Sequence, residues 1–367
     1  MKHFNLTIKL LCIVVSALLI LSLSACGGSE SESVNTSPEA GNSSEEPTTV
    51  AEDSNDITQF IEPQIEDDGT DGTYLSDTLY LYNNVAYNIF GSNEATAKNY
   101  SESVNSIADS VGDNVKVYNI VVPNHTEFGL PPRLADETGC TSQAENIKTI
   151  MENLNSRVQP INCYNALSTH NDEYIYFATD HHWTSLGAYY GYEAFCEQTN
   201  QTPLDITALN KNTITGFTGS FYTLTDSPTL YENSDTVAYY DLPNNTSAVM
   251  KESMDSEPLE VDVYYPAPES GSLTYSLFCW GDTAQFVISS DAGTGKKIAV
   301  IKDSYGNAFA PYLTANYDEV HLLDFRYFTL NLNDYLIENG IEEVIILNNT
   351  MSANTPSQVA TMVNNLS

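Results

Sequence analysis

Apolar and polar positions change period several times along the chain, and each change marks an element. The first apolar run, LLCIVVSALLILSL, follows Lys2, His3 and Lys9 and leads into LSAC at Cys26. A charged start, an apolar stretch and small residues before a cleavage point predict an export signal over residues 1–25. The run is short for a membrane span of roughly 20 residues, and no basic flank follows it. From Gly27 to about Gly72 there is almost nothing to bury, and no Lys or Arg occurs between Cys26 and Lys98. Such composition does not offset the entropy of ordering, so residues 26–72 are predicted to form a disordered acidic tether.

Beyond Thr73 the pattern is that of a folded domain running to residue 367. TLYLYNNVAYNIF alternates like a strand, and ATAKNYSESVNSIADSV repeats its apolar positions at helical spacing. VKVYNIVVPNH is a β-branched run of the kind buried on both faces of a parallel sheet. SQAENIKTIMENLNSR returns to helical spacing, VQPINCYNAL supplies a second short strand, and TSLGAYYGYEAFCEQT is a helix capped by Thr184 or Ser185. From about residue 203 to 294 short Thr-, Tyr- and Val-rich segments are broken by Gly, Asn, Asp and Pro, which predicts a β-rich insertion. Alternation of strand and helix then resumes from KKIAVIKDSYGNAF to the last helix, PSQVATMVNNLS. The fold class is therefore α/β: a mostly parallel sheet with helices on both faces, interrupted by one β-rich excursion.

The net charge of −36 excludes nucleic acid as a partner, because neutralising phosphates needs a Lys/Arg surface that this chain lacks. Cys140, Cys163, Cys196 and Cys279 contain no Cys-x-x-Cys pair, which argues against a zinc cluster, and no cofactor motif is present. In an exported protein, disulfides among these four and buried free thiols both stay open.

The chemistry concentrates in FATDHHWTSLGAYY. Of six His in the chain, His181 and His182 are adjacent, between Asp180 and Trp183 at the mouth of a helix. A metal site, a catalytic Asp/His pair and a polar turn all fit this peptide. Adjacent His lie about 100° apart on a helix and on opposite faces of a strand, so they share a metal poorly. A general base needs one His and one carboxylate, which Asp180 and His182 supply if a nucleophile arrives from elsewhere. One candidate is Ser304. The buried strand Ile298–Ile301 runs into Lys302, Asp303 and Ser304, and Gly306 permits a tight turn into a helix whose first amides can face a developing oxyanion. Two further strands end in polar residues, one in Asp324, Arg326 and Tyr327 and the other in Asn348 and Asn349. Singly, each is an ordinary cap or turn. Together they would surround one spot with a nucleophile and hydrogen-bond donors.

The TDHHW segment resembles the signature of the DHHW protein family, which is similar to alginate-type exopolysaccharide acetyltransferases with a permuted SGNH-hydrolase fold. Asp180, His182 and Trp183 occupy the Asp-x-His-Trp pattern, and Asp303, Ser304 and Tyr305 the Asp-Ser-aromatic turn. The resemblance implies a Ser304–His182–Asp180 triad and an oxyanion asparagine at Asn348, with Asn349 the adjacent candidate. Arg326 and Tyr327 stand where the pattern has a glycine, and His181 fills the variable position as a turn residue or substrate contact. It also implies transfer of acyl groups, received from a membrane-bound O-acyltransferase, to a polysaccharide acceptor at the extracytoplasmic face of the membrane. The LSAC ending resembles a bacterial lipobox, which implies lipidation of Cys26. A catalytically silent glycan-binding or scaffolding lipoprotein is the competing expectation.

Overall fold

The computed structural model describes residues 57–266 and 271–366. The export signal, Cys26 and the tether as far as residue 56 lie outside the described residues. A small antiparallel sheet opens the domain: β1 (Thr73–Ser76), β2 (Leu79–Tyr82) and β3 (Val85–Asn88). Asn83 and Asn84 join β2 to β3, both at positive φ (48° and 65°), the two-residue turn whose twist matches a hairpin and which asparagine tolerates. Residues 57–72, expected in the tether, lie against this domain. Asn162 and Ser168 donate to the carbonyls of Ile57 and Ile61, and Arg133 pairs with Asp67 and Asp71. Phe60 packs edge-on against Tyr164 at the rim of the core, a single aromatic anchor in a segment whose overall polar composition gave no hint of docking.

The main sheet draws on β4 (Lys116–Val122), β5 (Val158–Ile161), β8 (Thr246–Lys251), β9 (Leu259–Val261), β10 (Gln285–Ser290), β11 (Lys297–Lys302), β12 (Glu319–Asp324) and β13 (Glu343–Asn349). Its spatial order is β5-β4-β13-β11-β12-β10-β8-β9. The first five are mutually parallel and the last three antiparallel. Late strands thus sit between early ones, the permuted SGNH-hydrolase-like order that the resemblance implies. Four of the five parallel strands, β4, β11, β12 and β13, are nearly continuous buried runs, as double-sided burial requires, while β5 at the edge exposes Gln159.

Helices α1 (Glu94–Ser110) and α2 (Gln143–Glu152) pack together with the C-terminal helix Pro356–Leu366, while α3 (Ser185–Gln198) and α4 (Gly306–Leu313) form another pair. Thr184 caps α3 by accepting from the Gly187 amide, a cap worth about 1 kcal/mol. The insertion differs from a mere excursion. β6 (Lys211–Phe217) and β7 (Asp235–Tyr240) form a separate hairpin, but β8–β10 extend the main sheet beyond β12. Short antiparallel strands there cover what would otherwise be an open edge.

Cys140, Cys163, Cys196 and Cys279 are free thiols, the last three buried. Among the described residues no helix is long and apolar enough to cross a membrane.

Candidate active site

β11 is the middle strand of three, flanked by β13 and β12, and all three are parallel. Their carboxyl ends therefore meet at one edge, where Ser304, Arg326 and Asn348/Asn349 emerge. Lys302 pairs with Asp324 across β11 and β12, so Ser304 and Arg326 leave their strands at the same level, each two residues on. Gly306 starts α4 directly over Lys302. An added Cβ there would come within 2.5 Å of the Lys302 Cβ, which explains the glycine.

The TDHHW loop reaches this edge from the amino end of α3. The His182 Nδ1–H donates to Asp180 Oδ1 at 2.5 Å, and the Ser304 hydroxyl is 2.6 Å from His182 Nε2. The Asp180 Oδ1 also accepts from the His182 amide at 2.9 Å, which locks the carboxylate to the loop as well as to the ring. Asp180, His182 and Ser304 are all buried. Trp183 is fully buried beneath the loop, and its indole N–H donates to the Tyr305 carbonyl at 3.0 Å. The Tyr305 hydroxyl donates to the His181 carbonyl. The histidine loop and the serine turn are thereby clamped together from both sides.

Much of the clamp comes from the insertion, which sequence reasoning did not connect to the site. The Ser220 amide donates to Asp180 Oδ2 at 2.7 Å, and the Ser220 hydroxyl meets His181 Nδ1 at 2.7 Å. Gly219 lies so close that an added Cβ would fall 2.2 Å from the Asp180 Cβ. Asp235 at the start of β7 accepts from the amides of Ala178 and Thr179 and from the hydroxyls of Thr179 and Tyr174. Tyr275 stacks on His182 and donates its hydroxyl to the Ser304 carbonyl at 3.2 Å. The available signal was GFTGSFYTL, a Gly-Ser turn leaving a strand, but turns of that kind are common.

Electrostatics follow from this packing. Burial pushes the Asp180 carboxyl up. The charges of His182 and His181 and the hydrogen bonds from His182 and Ser220 outweigh it and hold Asp180 below the usual carboxylate range. Burial, helped by the neighbouring His182, pushes His181 down to about 4, against the pull of Asp180. His181 is thus a half-buried neutral imidazole, its ring centroid 3.8 Å from that of His182 and its plane tilted by 35°.

The asparagines are tied into the scaffold. Asn349 donates through its amide N–H and its side chain to Asp303 Oδ2, both at 2.8 Å, while its side-chain oxygen caps the next helical turn. It holds the serine turn and has no amide left for an oxyanion. Asn348 and Asn349 alternate along the strand, and the Asn348 amide oxygen accepts from the Tyr100 hydroxyl at 2.8 Å beneath α1. Nor do the first amides of α4 face outward. Tyr305 donates to the Asp303 carboxylate, Gly306 to the Asp303 carbonyl and Asn307 to the Ser304 carbonyl.

Arg326 is different. Its Nε and Nη2 bind Asp324 at 2.8 and 2.6 Å and Nη2 also pairs with Asp282 at 2.9 Å, whereas Nη1 has no partner among the described residues. The guanidinium stays well above its ordinary pKa, because Asp282 and Asp324 outweigh the desolvation that would lower it. Tyr327 lies next to it, with the guanidinium carbon 5.5 Å from its ring centroid.

Asp180, His181 and His182 bring three donor atoms within 4.8 Å of one another, a partial set for a metal. Both His182 ring nitrogens are engaged by Asp180 and Ser304, so a metal on either would break the hydrogen-bonded chain.

The model of the DHHW protein family matches residues 30–323. The chain belongs to the DHHW protein family. A solved DHHW family protein from Eubacterium siraeum is 30% identical to it with a TM-score of 0.74, the match covering 81% of this chain and 99% of that one. Bacillus cereus PatB1 is 20% identical, with a TM-score of 0.62 and coverage of 77% and 98%. PatB1 with a sulfonyl adduct is 19% identical, with a TM-score of 0.60 and coverage of 80% and 99%. The PatB1 structures share the fold of this DHHW protein. No curated protein matches the chain.

Proposed function

We propose that this DHHW protein is a serine-dependent O-acyl transferase or esterase acting on a cell-envelope or secreted polysaccharide, held at the extracytoplasmic face by a lipid on Cys26. The observation that carries the reading is the continuous chain from Asp180 through His182 to Ser304, with bonds of 2.5 and 2.6 Å. A buried carboxylate that fixes the imidazole tautomer, and an imidazole that accepts from a serine hydroxyl, are the parts acyl transfer needs.

In this mechanism Ser304 Oγ attacks the acyl carbonyl carbon as its proton passes to His182 Nε2. The charge that develops on the carbonyl oxygen is met by donors still free at this edge, Arg326 Nη1 and the Ser304 amide. Collapse expels the leaving alcohol, which takes the proton back from His182 and leaves the acyl group on Ser304. A sugar hydroxyl, or water, then gives its proton to His182 and attacks the acyl-serine, and collapse releases the new ester or free acid as Ser304 Oγ takes that proton back from His182. His181, neutral and half-buried beside the base, is the candidate contact for an incoming hydroxyl.

The acyl supply fits a membrane-bound O-acyltransferase partner, and a lipidated Cys26 would hold the protein within its reach. The test is to incubate purified protein with a chromogenic acetyl ester, with and without a polysaccharide acceptor. Turnover lost in Ser304→Ala supports the serine mechanism, and acetylated polysaccharide assigns transfer over hydrolysis. Equal turnover in Ser304→Ala and wild type refutes the nucleophile. Cys26→Ala should leave the membrane fraction, and its retention there would refute the lipid anchor.

A further inference from the structure

We infer that Asp282, delivered by the β-rich insertion, is the positioning residue that aims Arg326 at the oxyanion formed on Ser304. The inference rests on the proposed acyl chemistry.

Three consecutive residues, Cys279, Trp280 and Gly281, have φ of 49°, 61° and 80°. Only the glycine suits that region, so the two L side chains before it hold an unfavourable backbone that the surroundings must enforce. The enforcement is visible. The Cys279 thiol donates to the Asn307 carbonyl at 3.5 Å, the Trp280 indole N–H donates to the Asp262 carbonyl at 2.8 Å, and Tyr265 packs edge-on against the indole. Strained, over-determined backbone of this kind is characteristic of functional sites.

What the strained turn delivers is the Asp282 carboxylate. One oxygen forms an ion pair with Arg326 Nη2 at 2.9 Å, and the other accepts from Asn307 Nδ2 at 3.1 Å and Lys302 Nζ at 3.4 Å. Asp282 therefore ties the strand end that carries Arg326 to the helix that starts just after Ser304. Asp324 grips the Nε edge of the same guanidinium and Asp282 the Nη2 corner. A planar fork held at two corners cannot rotate, and the unpartnered Nη1 then has one direction to point. Two carboxylates and two cations, Asp282, Asp324, Lys302 and Arg326, balance within the cluster. Arg326 is accordingly a fixed donor and not a trap for an anionic substrate.

The experiment measures labelling of Ser304 by a fluorophosphonate, and kcat and KM for a chromogenic acetyl ester, in the full-length protein and in D282N, D282E, R326A and D282N/R326A. Removing one oxyanion donor costs roughly 100- to 1,000-fold in kcat, and R326A should fall there. D282N should lose about 10- to 100-fold of kcat with KM nearly unchanged, a part of the same donor's effect. The double variant should be no slower than R326A. D282E keeps the charge and the fold but displaces the carboxylate, so it should be slow with an unchanged melting temperature. Wild-type kcat in D282N and D282E beside a damaged R326A overturns the inference and leaves the acyl chemistry standing. Losses that multiply in the double variant overturn the coupling. Wild-type protein that neither labels nor turns over ester refutes the acyl reading and the inference with it.

Discussion

Tyr275 lies flat on the His182 imidazole, with ring centroids 3.8 Å apart and planes 9° apart, and it is supplied by a segment 93 residues further along the chain. The ring shields one face of the base from water, and its hydroxyl reaches the carbonyl of Ser304. The two contributions separate by mutation. Stacked aromatic pairs are worth about 0.5–1.5 kcal/mol, up to roughly tenfold in rate if the stack orients the base. Tyr275→Ala should therefore reduce fluorophosphonate labelling several-fold to tenfold, whereas Tyr275→Phe, which keeps the ring, should stay within about threefold of wild type. A Phe variant as slow as the Ala variant would assign the effect to the hydroxyl.

Asp180→Asn tests the tautomer. An amide can offer His182 Nδ1 a donor where an acceptor is needed, which turns the ring and removes the lone pair that Ser304 faces. By analogy with the serine protease aspartate, turnover should fall by about 10⁴-fold while the fold survives. Circular dichroism together with ester turnover checks both halves. His181→Ala should cost far less in labelling, since no hydrogen bond joins His181 to the serine. If His181 proved essential and His182 dispensable, the assignment of the base would be reversed.

The scaffold and the juxtaposition of Asp180, His182 and Ser304 were legible because they are written locally. Buried β-branched runs followed by helical spacing give the parallel core, and a serine two residues past such a run is placed at the carboxyl edge by the sheet itself. Asp180 and His182 stand two residues apart in one peptide. The residues around them could not be read the same way. Ser220, Asp235, Tyr275 and Asp282 belong to the insertion, and nothing in their own neighbourhoods distinguishes a turn that supports catalysis from one that ends a hairpin. Asn349 shows the opposite limit. An asparagine after a buried strand reads alike whether it donates to an oxyanion or, as here, binds Asp303 and caps a helix. Arg326 was visible as a polar strand end, but its orientation depends on an aspartate 44 residues earlier.

Gly219→Ala probes the strut between the insertion and the triad. Its Cβ would sit 2.2 Å from the Asp180 Cβ and 2.5 Å from Oδ2, so either the Ser220 turn or the Asp180 loop must retreat. Overpacking of this kind costs about 1–3 kcal/mol of stability, and the retreat also breaks the Ser220 amide bond to Asp180. The expected outcome is a lowered melting temperature together with a loss of labelling well beyond that of Tyr275→Ala. A variant that melts lower yet labels normally would show that the strut supports the fold alone.

Acid should destabilise the protein through its buried histidines. His125 is pushed down to about 4 by burial, between Tyr87 and a stacked Tyr176, and His181 is pushed down to about 4 by burial and by His182. Unfolded, both return to about 6.5. Between those values the unfolded chain binds more protons than the folded one, so stability is complete above about 6.5 and is lost as pH falls toward 4. Below that, both states are protonated at these positions and this contribution is exhausted. Melting temperatures by circular dichroism should therefore decline from pH 6.5 to 4. His125→Phe retains an aromatic ring against Tyr176 without a titrating nitrogen, and it should flatten that decline while leaving labelling of Ser304 at pH 7 near wild type. An undiminished decline in His125→Phe would move the proton uptake to His181 and its neighbours, where the same acid range should then also abolish labelling.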